Sequence, residues 1–166
     1  MNEEREILLQ RYLQLPDRLE TAIEGLSESD FDLKLESGWA IRQYVHHLVE
    51  GEYLWQVNLR AIVGTDGILF PFTWYFGLTQ DEWADRWAYD KRSLEPSLAL
   101  FRASTWNLVE FLRNVPDAWE HFGRITWPKG KEETRITVCE IVEIHLGHMD
   151  QHVEDIQTIR AFHQRS

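Results

Sequence analysis

Apolar positions recur at helical spacing in four stretches of the chain. The first runs from about Glu3 to Leu26. There Leu8, Tyr12, Leu15, Leu19, Ala22 and Leu26 alternate steps of four and three, the seam of a helical bundle. Pro16 lies inside it and is expected to kink or restart the helix. The second runs from about Ala40 to Val63 on the seam Ile41, Val45, Leu48, Glu52, Trp55, Leu59 and Ile62. The third, about Leu94 to Val115, carries Leu98, Phe101, Thr105, Leu108 and Leu112. The fourth, about Thr137 to Phe162, carries Val138, Val142, Leu146, Met149, Val153 and Ile156.

The connections differ. Ser27 to Trp39 is short and holds SESD, a turn able to cap a helix end. Gly64 to Ser93 is long and aromatic, with Phe70, Phe72, Trp74, Tyr75, Phe76, Trp83, Trp87 and Tyr89. Within it DEWADRW predicts a short helix capped by Thr79. Pro116 to Ile136 ends in the turn-like PKGKEE. No segment alternates long enough to predict a sheet. No repeat, low-complexity tract or linker divides the sequence. The pattern therefore predicts an all-α four-helix bundle, one domain over residues 1–166, with a long aromatic crossover after helix two. Trp39, Trp55 and Trp106 read as core.

Composition narrows the partners. Seventeen Lys and Arg stand against 28 Asp and Glu, a net charge of −11. That argues against a nucleic-acid backbone as ligand, which needs a basic surface. One cysteine excludes an internal disulfide framework. No apolar run reaches the roughly 18 residues of a membrane span. The acidic start MNEEREILLQRYLQ is unlike a signal peptide, so a cytoplasmic protein is expected.

The histidines are the candidate chemistry. IHLGHMDQH on the fourth helix holds His145, His148 and His152. At about 100° per residue, His148 and His152 lie about 40° apart and His145 and His152 about 20° apart. The stripe continues as Ile141, His145, His148, His152, Asp155 and Ile159, apolar at its ends and polar in its middle. Imidazoles in a buried seam carry a desolvation cost that a metal offsets. An i, i+4 histidine pair can chelate one divalent ion. His46 or His47 of RQYVHHLVEGE, on the second helix, can complete a set of three, which leaves an open, catalytic-type position. His145 is the other third candidate. Three ligands within seven residues of one helix converge poorly, so it reads as a supporting or core residue. Cys139 lies about 180° from His148 and reads as a small buried hydrophobe. His121 and His163 read as solvated.

These residues also carry a likeness. The chain resembles the DinB-like superfamily, named for DNA-damage-inducible proteins, which includes metal-dependent hydrolases and low-molecular-weight-thiol transferases. GWAIRQYVHHLVEGE is similar to the family segment G-x-W-S/T-I/V-x-x-I/V-x-x-H-L, with Trp39 at its Trp, Ile41 at the branched position and His47 at the helix-two ligand. HLGHMDQH is similar to H-x-x-x-H on the last helix, with His148 and His152 at the other two ligands. The likeness covers essentially the whole chain, and LPDRLETAIEGLSESDF also fits. Ala40 departs from the family's Ser or Thr helix cap. Alanine cannot cap, at a cost of about 1 kcal/mol, so Ser37 or Gly38 is expected to cap instead. The resemblance implies an up-down-down-up bundle, a zinc or nickel ion on His47, His148 and His152, and a homodimer.

A divalent ion on three neutral imidazoles keeps its charge. It can lower the pKa of water, polarise a carbonyl or bind a thiolate. The expected function is a metal-dependent hydrolase, or an S-transferase using a small thiol such as bacillithiol or mycothiol, on a small-molecule substrate. Hydrolysis needs a general base, and Glu50, Glu52 and Asp155 are the weak candidates. Asp155 can instead orient a ligand imidazole. The aromatic loop either walls a pocket over the metal or packs the bundle end or a dimer. The alternative functions are a non-catalytic metal-binding or stress-response protein with a structural metal, and a metal-free bundle whose histidines are core hydrogen-bonders.

Overall fold

The computed structural model describes residues 3–70, 72–115, 117–127 and 133–165. Six helices fall in the predicted places: α1 Glu3–Leu13, α2 Leu15–Ile23, α3 Ile41–Gly64, α4 Gln80–Arg86, α5 Leu94–Asn114 and α6 Val138–His163. Pro16 splits the first predicted helix into α1 and α2. It sits in the first turn of α2, where its missing N–H costs nothing. Thr79 caps α4: its Oγ1 accepts from the Glu82 N–H at 3.2 Å, and the Glu82 carboxylate accepts from the Thr79 N–H at 2.8 Å. Thr137 and Glu140 cap α6 in the same reciprocal way, at 3.2 and 2.7 Å. In the SESD turn, Asp30 accepts from the Ser27 N–H and closes a 3₁₀ turn over Glu28–Asp32.

The α3 cap is not the one expected. Neither Ser37 nor Gly38 provides it. Ala40 occupies the cap position without a side-chain bond, and Gln43 Oε1 reaches back to its N–H at 2.9 Å. Gln43 thus supplies the return half of a capping box, satisfying the cap residue's own N–H, while no side chain from position 40 reaches the N2 and N3 donors.

Side-chain pairings give the helix directions. Glu6 meets Arg113, while Asp17 meets Arg102, so the α1–α2 rod runs antiparallel to α5. Tyr12 lies by His145 and Arg18 pairs with Asp150, so that rod runs parallel to α6. His46 meets Ser97 and Arg60 meets Asn107, so α3 and α5 are parallel. His47 meets His148 while Glu52 meets His145, so α3 and α6 are antiparallel. The bundle is up-down-down-up. The long crossover carrying α4 is what lets α3 and α5 point the same way.

One element departs from the expectation that no segment forms a sheet. Phe122–Thr126 (β1) and Glu133–Thr137 (β2) form an antiparallel hairpin in the register Phe122↔Thr137, Arg124↔Arg135 and Thr126↔Glu133. Residues 128–132 of the PKGKEE turn lie outside the described set. Ile125 and Ile136 point into the core and their neighbours outward. Five residues per strand is too short for alternation to stand out in the sequence. Phe70 joins the hairpin through its N–H to the Arg124 carbonyl at 2.8 Å. Gly123 lets its ring approach: a Cβ there would lie 2.9 Å from Phe70 and 3.0 Å from Ile62. Trp106 also departs from expectation. It is 64% exposed on the outer face of α5, whereas Trp39 and Trp55 are half-buried.

Candidate metal centre

The α3–α6 interface gathers three imidazoles. His47 projects from the second turn of α3, and His148 and His152 from adjacent turns of α6. His47 Nε2 and His148 Nε2 lie 3.0 Å apart, and one ring nitrogen from each of the three lies within 4.8 Å of the others. The edge of a tetrahedron with metal–nitrogen bonds of about 2.0–2.1 Å is about 3.3 Å. The donor set therefore suits one small divalent ion. His152 Nδ1 donates to Asp155 Oδ2 at 2.7 Å, which leaves its Nε2 lone pair for the cluster.

Burial and mutual proximity keep His47 and His148 unprotonated. Desolvation, then the neighbouring His152, pushes His47 down to about 4. Desolvation, then His47, His152 and His145, pushes His148 down to about 3. Both imidazoles are therefore neutral and ligand-competent at pH 7. The walls are aromatic. Trp39 sits edge-on to His47 at 5.0 Å, and Tyr44 lies 5.2 Å from His152. Burial, then Asp155, raises the Tyr44 phenol, so it remains a hydrogen-bond donor. Trp39 Nε1 donates to Asp81 on α4 at 2.6 Å, which ties the crossover to the rim. Gly51 faces His148: a Cβ there would stand 3.8 Å from its ring.

The other candidates are placed as follows. His46, one of the two candidate ligands on α3, is wholly buried. Its Nε2 donates to the Arg92 carbonyl at 3.2 Å and its Nδ1 accepts from Ser97 at 3.0 Å. It stacks on Tyr89, and its Ser97 contact ties α3 to α5, outside the cluster. His145 is outside the cluster too, with Nδ1 donating to the Glu52 carboxylate. Glu50 pairs with Arg92 at 2.8 Å. All three carboxylates proposed as bases therefore already have partners. Cys139 is half-buried against the core. His121 lies 3.4 Å from Asp66 and 3.6 Å from Asp117. His163 is half-buried, donating to the Lys34 carbonyl at 2.9 Å.

Sequence reasoning missed the Glu52–His145 pair and the Tyr44 wall. The signal was present for the pair: Glu52 and His145 each interrupt an apolar stripe, but their register across two helices is a tertiary fact. Among the described residues, no ring of the aromatic crossover contacts the three imidazoles. Phe70 and Phe72 pack on Trp55, and Trp83 stacks on Tyr75. Among the described residues, the ring contacts of His47, His148 and His152 are with Trp39, Tyr44 and one another.

The model of the DinB superfamily matches residues 11–156. The chain belongs to this superfamily. Two relatives carry the name "Putative metal-dependent hydrolase". One, from Geobacillus thermodenitrificans, is 27% identical over 158 residues, covering 89% of this chain and 79% of that protein. The other, from Geobacillus kaustophilus, is 25% identical over 148 residues, covering 88% and 78%. Among solved structures, YfiT from Bacillus subtilis superposes with a TM-score of 0.80 at 20% identity, over 99% of this chain and 90% of that one. YfiT is described as a probable metal-dependent hydrolase with an unusual four-helix bundle topology. At that identity the likeness shows the fold, which is the topology derived above. No described helix is long and apolar enough to cross a membrane.

Proposed function

We propose that this chain is a metal-dependent enzyme of the DinB superfamily acting on a small molecule, with a zinc or nickel ion held by His47, His148 and His152. The observation that carries this reading is the convergence of three imidazoles from two helices, two of them held neutral by burial and the third oriented by Asp155. Three protein ligands, with no fourth side chain joining them among the described residues, match catalytic rather than structural sites. When bound, the ion supplies Lewis-acid chemistry for a carbonyl, or lowers the pKa of water or a thiol.

The protein's own residues do the rest. Asp155 holds the tautomer of His152, Trp39 and Tyr44 pack their rings against the imidazoles, and the Tyr44 hydroxyl stays protonated. Hydrolysis is the first reading, in keeping with the names of the relatives. Transfer of a low-molecular-weight thiol is the second. It is favoured by the absence of an unengaged base among Glu50, Glu52 and Asp155, because a thiol needs less help to lose its proton. The proposal takes residues 1–166 as one domain of a cytoplasmic homodimer.

The test is metal analysis of the purified protein, followed by a metal-loaded screen. Stoichiometric zinc or nickel that is lost in His148→Ala is the expected result. Thiol-dependent turnover of electrophiles against turnover on an esterase and amidase panel separates the two chemistries. A wild type that takes up no metal under any loading condition refutes the reading.

A further inference from the structure

The three donors come from two helices, His47 from α3 and His148 and His152 from α6. Any slide or roll of α3 against α6 therefore moves one nitrogen relative to the other two. Useful site geometry must hold to about 0.5 Å. Among the described residues, two side-chain hydrogen bonds cross from α3 to α6. One lies within the imidazole cluster itself, His47 to His148. The other is Glu52 with His145. Glu52 follows His47 by five residues and His145 precedes His148 by three, so the pair sits about one turn away, toward the C-terminal end of α3 and the N-terminal end of α6.

The pair is an odd choice for mere core filling. Glu52 is 4% exposed and His145 5%. Gln56 Nε2 donates to the second carboxylate oxygen at 3.1 Å, so both oxygens are held. Trp55 lies edge-on to the imidazole at 5.8 Å and Tyr12 approaches at 6.4 Å. His145 Nε2 is buried and has no hydrogen-bond partner among the described residues. Two leucines would fill the same space without these desolvation costs, and such replacements are often neutral or stabilising. What leucines do not supply is a directional bond that defines one register between two helices. Fixing register is the best-attested use of a buried polar pair.

We propose that Glu52 and His145 are positioning residues for the metal centre. Their bond locks the α3–α6 register so that His47 meets His148 and His152 at coordinating distance before any ion arrives. The inference rests on the metal-centre reading above. It assigns the two residues no contact with the ion and no proton transfer. Glu52, expected from sequence only as a weak base candidate, acts through His145 and the helix it anchors.

The test uses the full chain and the metal alone. Zinc affinity is measured by competition with a chromophoric chelator, and the visible absorption of the cobalt-loaded protein reports ligand geometry. The decisive variant is the double substitution Glu52→Leu/His145→Leu, with thermal unfolding of the chelated protein recorded alongside. The expected result is a melting temperature equal to or above wild type, with zinc affinity reduced about 10- to 100-fold and an altered cobalt spectrum. A purely structural role predicts the opposite pattern, with melting lowered and affinity and spectrum unchanged, and that result overturns the proposal. Should the double variant fail to fold, Glu52→Gln and His145→Gln are read singly, and wild-type zinc affinity in both overturns it. A wild type that binds no metal overturns the metal-centre reading and this inference together. Metal-binding wild type with unchanged variants overturns this inference alone.

Discussion

The depressed protonation of His47 and His148 has a measurable cost in the metal-free protein. Both groups sit well below the ordinary imidazole value of about 6.5 in the fold, at about 4 and about 3. A histidine lowered in this way contributes full stability above the unfolded value, and that stability is lost as pH falls toward the folded one. Between pH 7 and pH 5 the unfolded chain takes up most of a proton at each site, while the folded chain takes up almost none. The linkage integral over that window is about 2 kcal/mol for one such group, and it ceases to grow only below the folded values. His46, also lowered by burial, adds to the same trend. The assay is urea denaturation in a strong chelator at pH 7 and pH 5, on wild type and on His148→Gln. The wild type should lose about 2 kcal/mol more than the variant over this interval, because only His148 differs. Equal losses in the two proteins would refute the claim that the fold holds His148 neutral against its preference.

Further expectations follow from single contacts. Asp155→Asn removes the carboxylate that orients His152 and should weaken zinc binding by about tenfold or more in a chelator competition. Thr137→Ala deletes the reciprocal cap of the helix bearing two of the donors and should cost about 1 kcal/mol in urea unfolding. Gly123→Ala drives a Cβ to 2.9 Å from Phe70 and should destabilise by about 1–3 kcal/mol by the same assay. Phe101→Ala, in the core, should cost about 3–5 kcal/mol, whereas Trp106→Gln on the exposed face of α5 should change stability by less than about 0.5 kcal/mol.

Much of this molecule is legible in one dimension. The four helical stretches, the break at Pro16, the short helix after Thr79 and the clustering of His148 with His152 all depend on residues within one or two turns of each other. For these, spacing and local chemistry suffice. The hairpin was not legible, because each strand is five residues long and its partner is supplied from outside the local pattern. Trp106 was misplaced because a large aromatic on a bundle helix is ordinarily core. The direction in which the α5 surface turns is set by its neighbours.

The site divides along the same line. The sequence alone determined that imidazoles stand where apolar residues belong on the last helix, and that a second pair waits on the helix after the first turn. Its own geometry did not choose between His46 and His47, since they are adjacent and only 100° apart. Packing separates them. His46 turns to α5, where Ser97 and the Arg92 carbonyl take both its nitrogens, while His47 turns to α6 and meets His148. The same antiparallel register brings Glu52 to His145 across 93 residues of chain. Periodicity tells which face of a helix is buried. Which side chain lies opposite it is decided by how two helices slide and roll into contact, and that relation exists only in the folded structure.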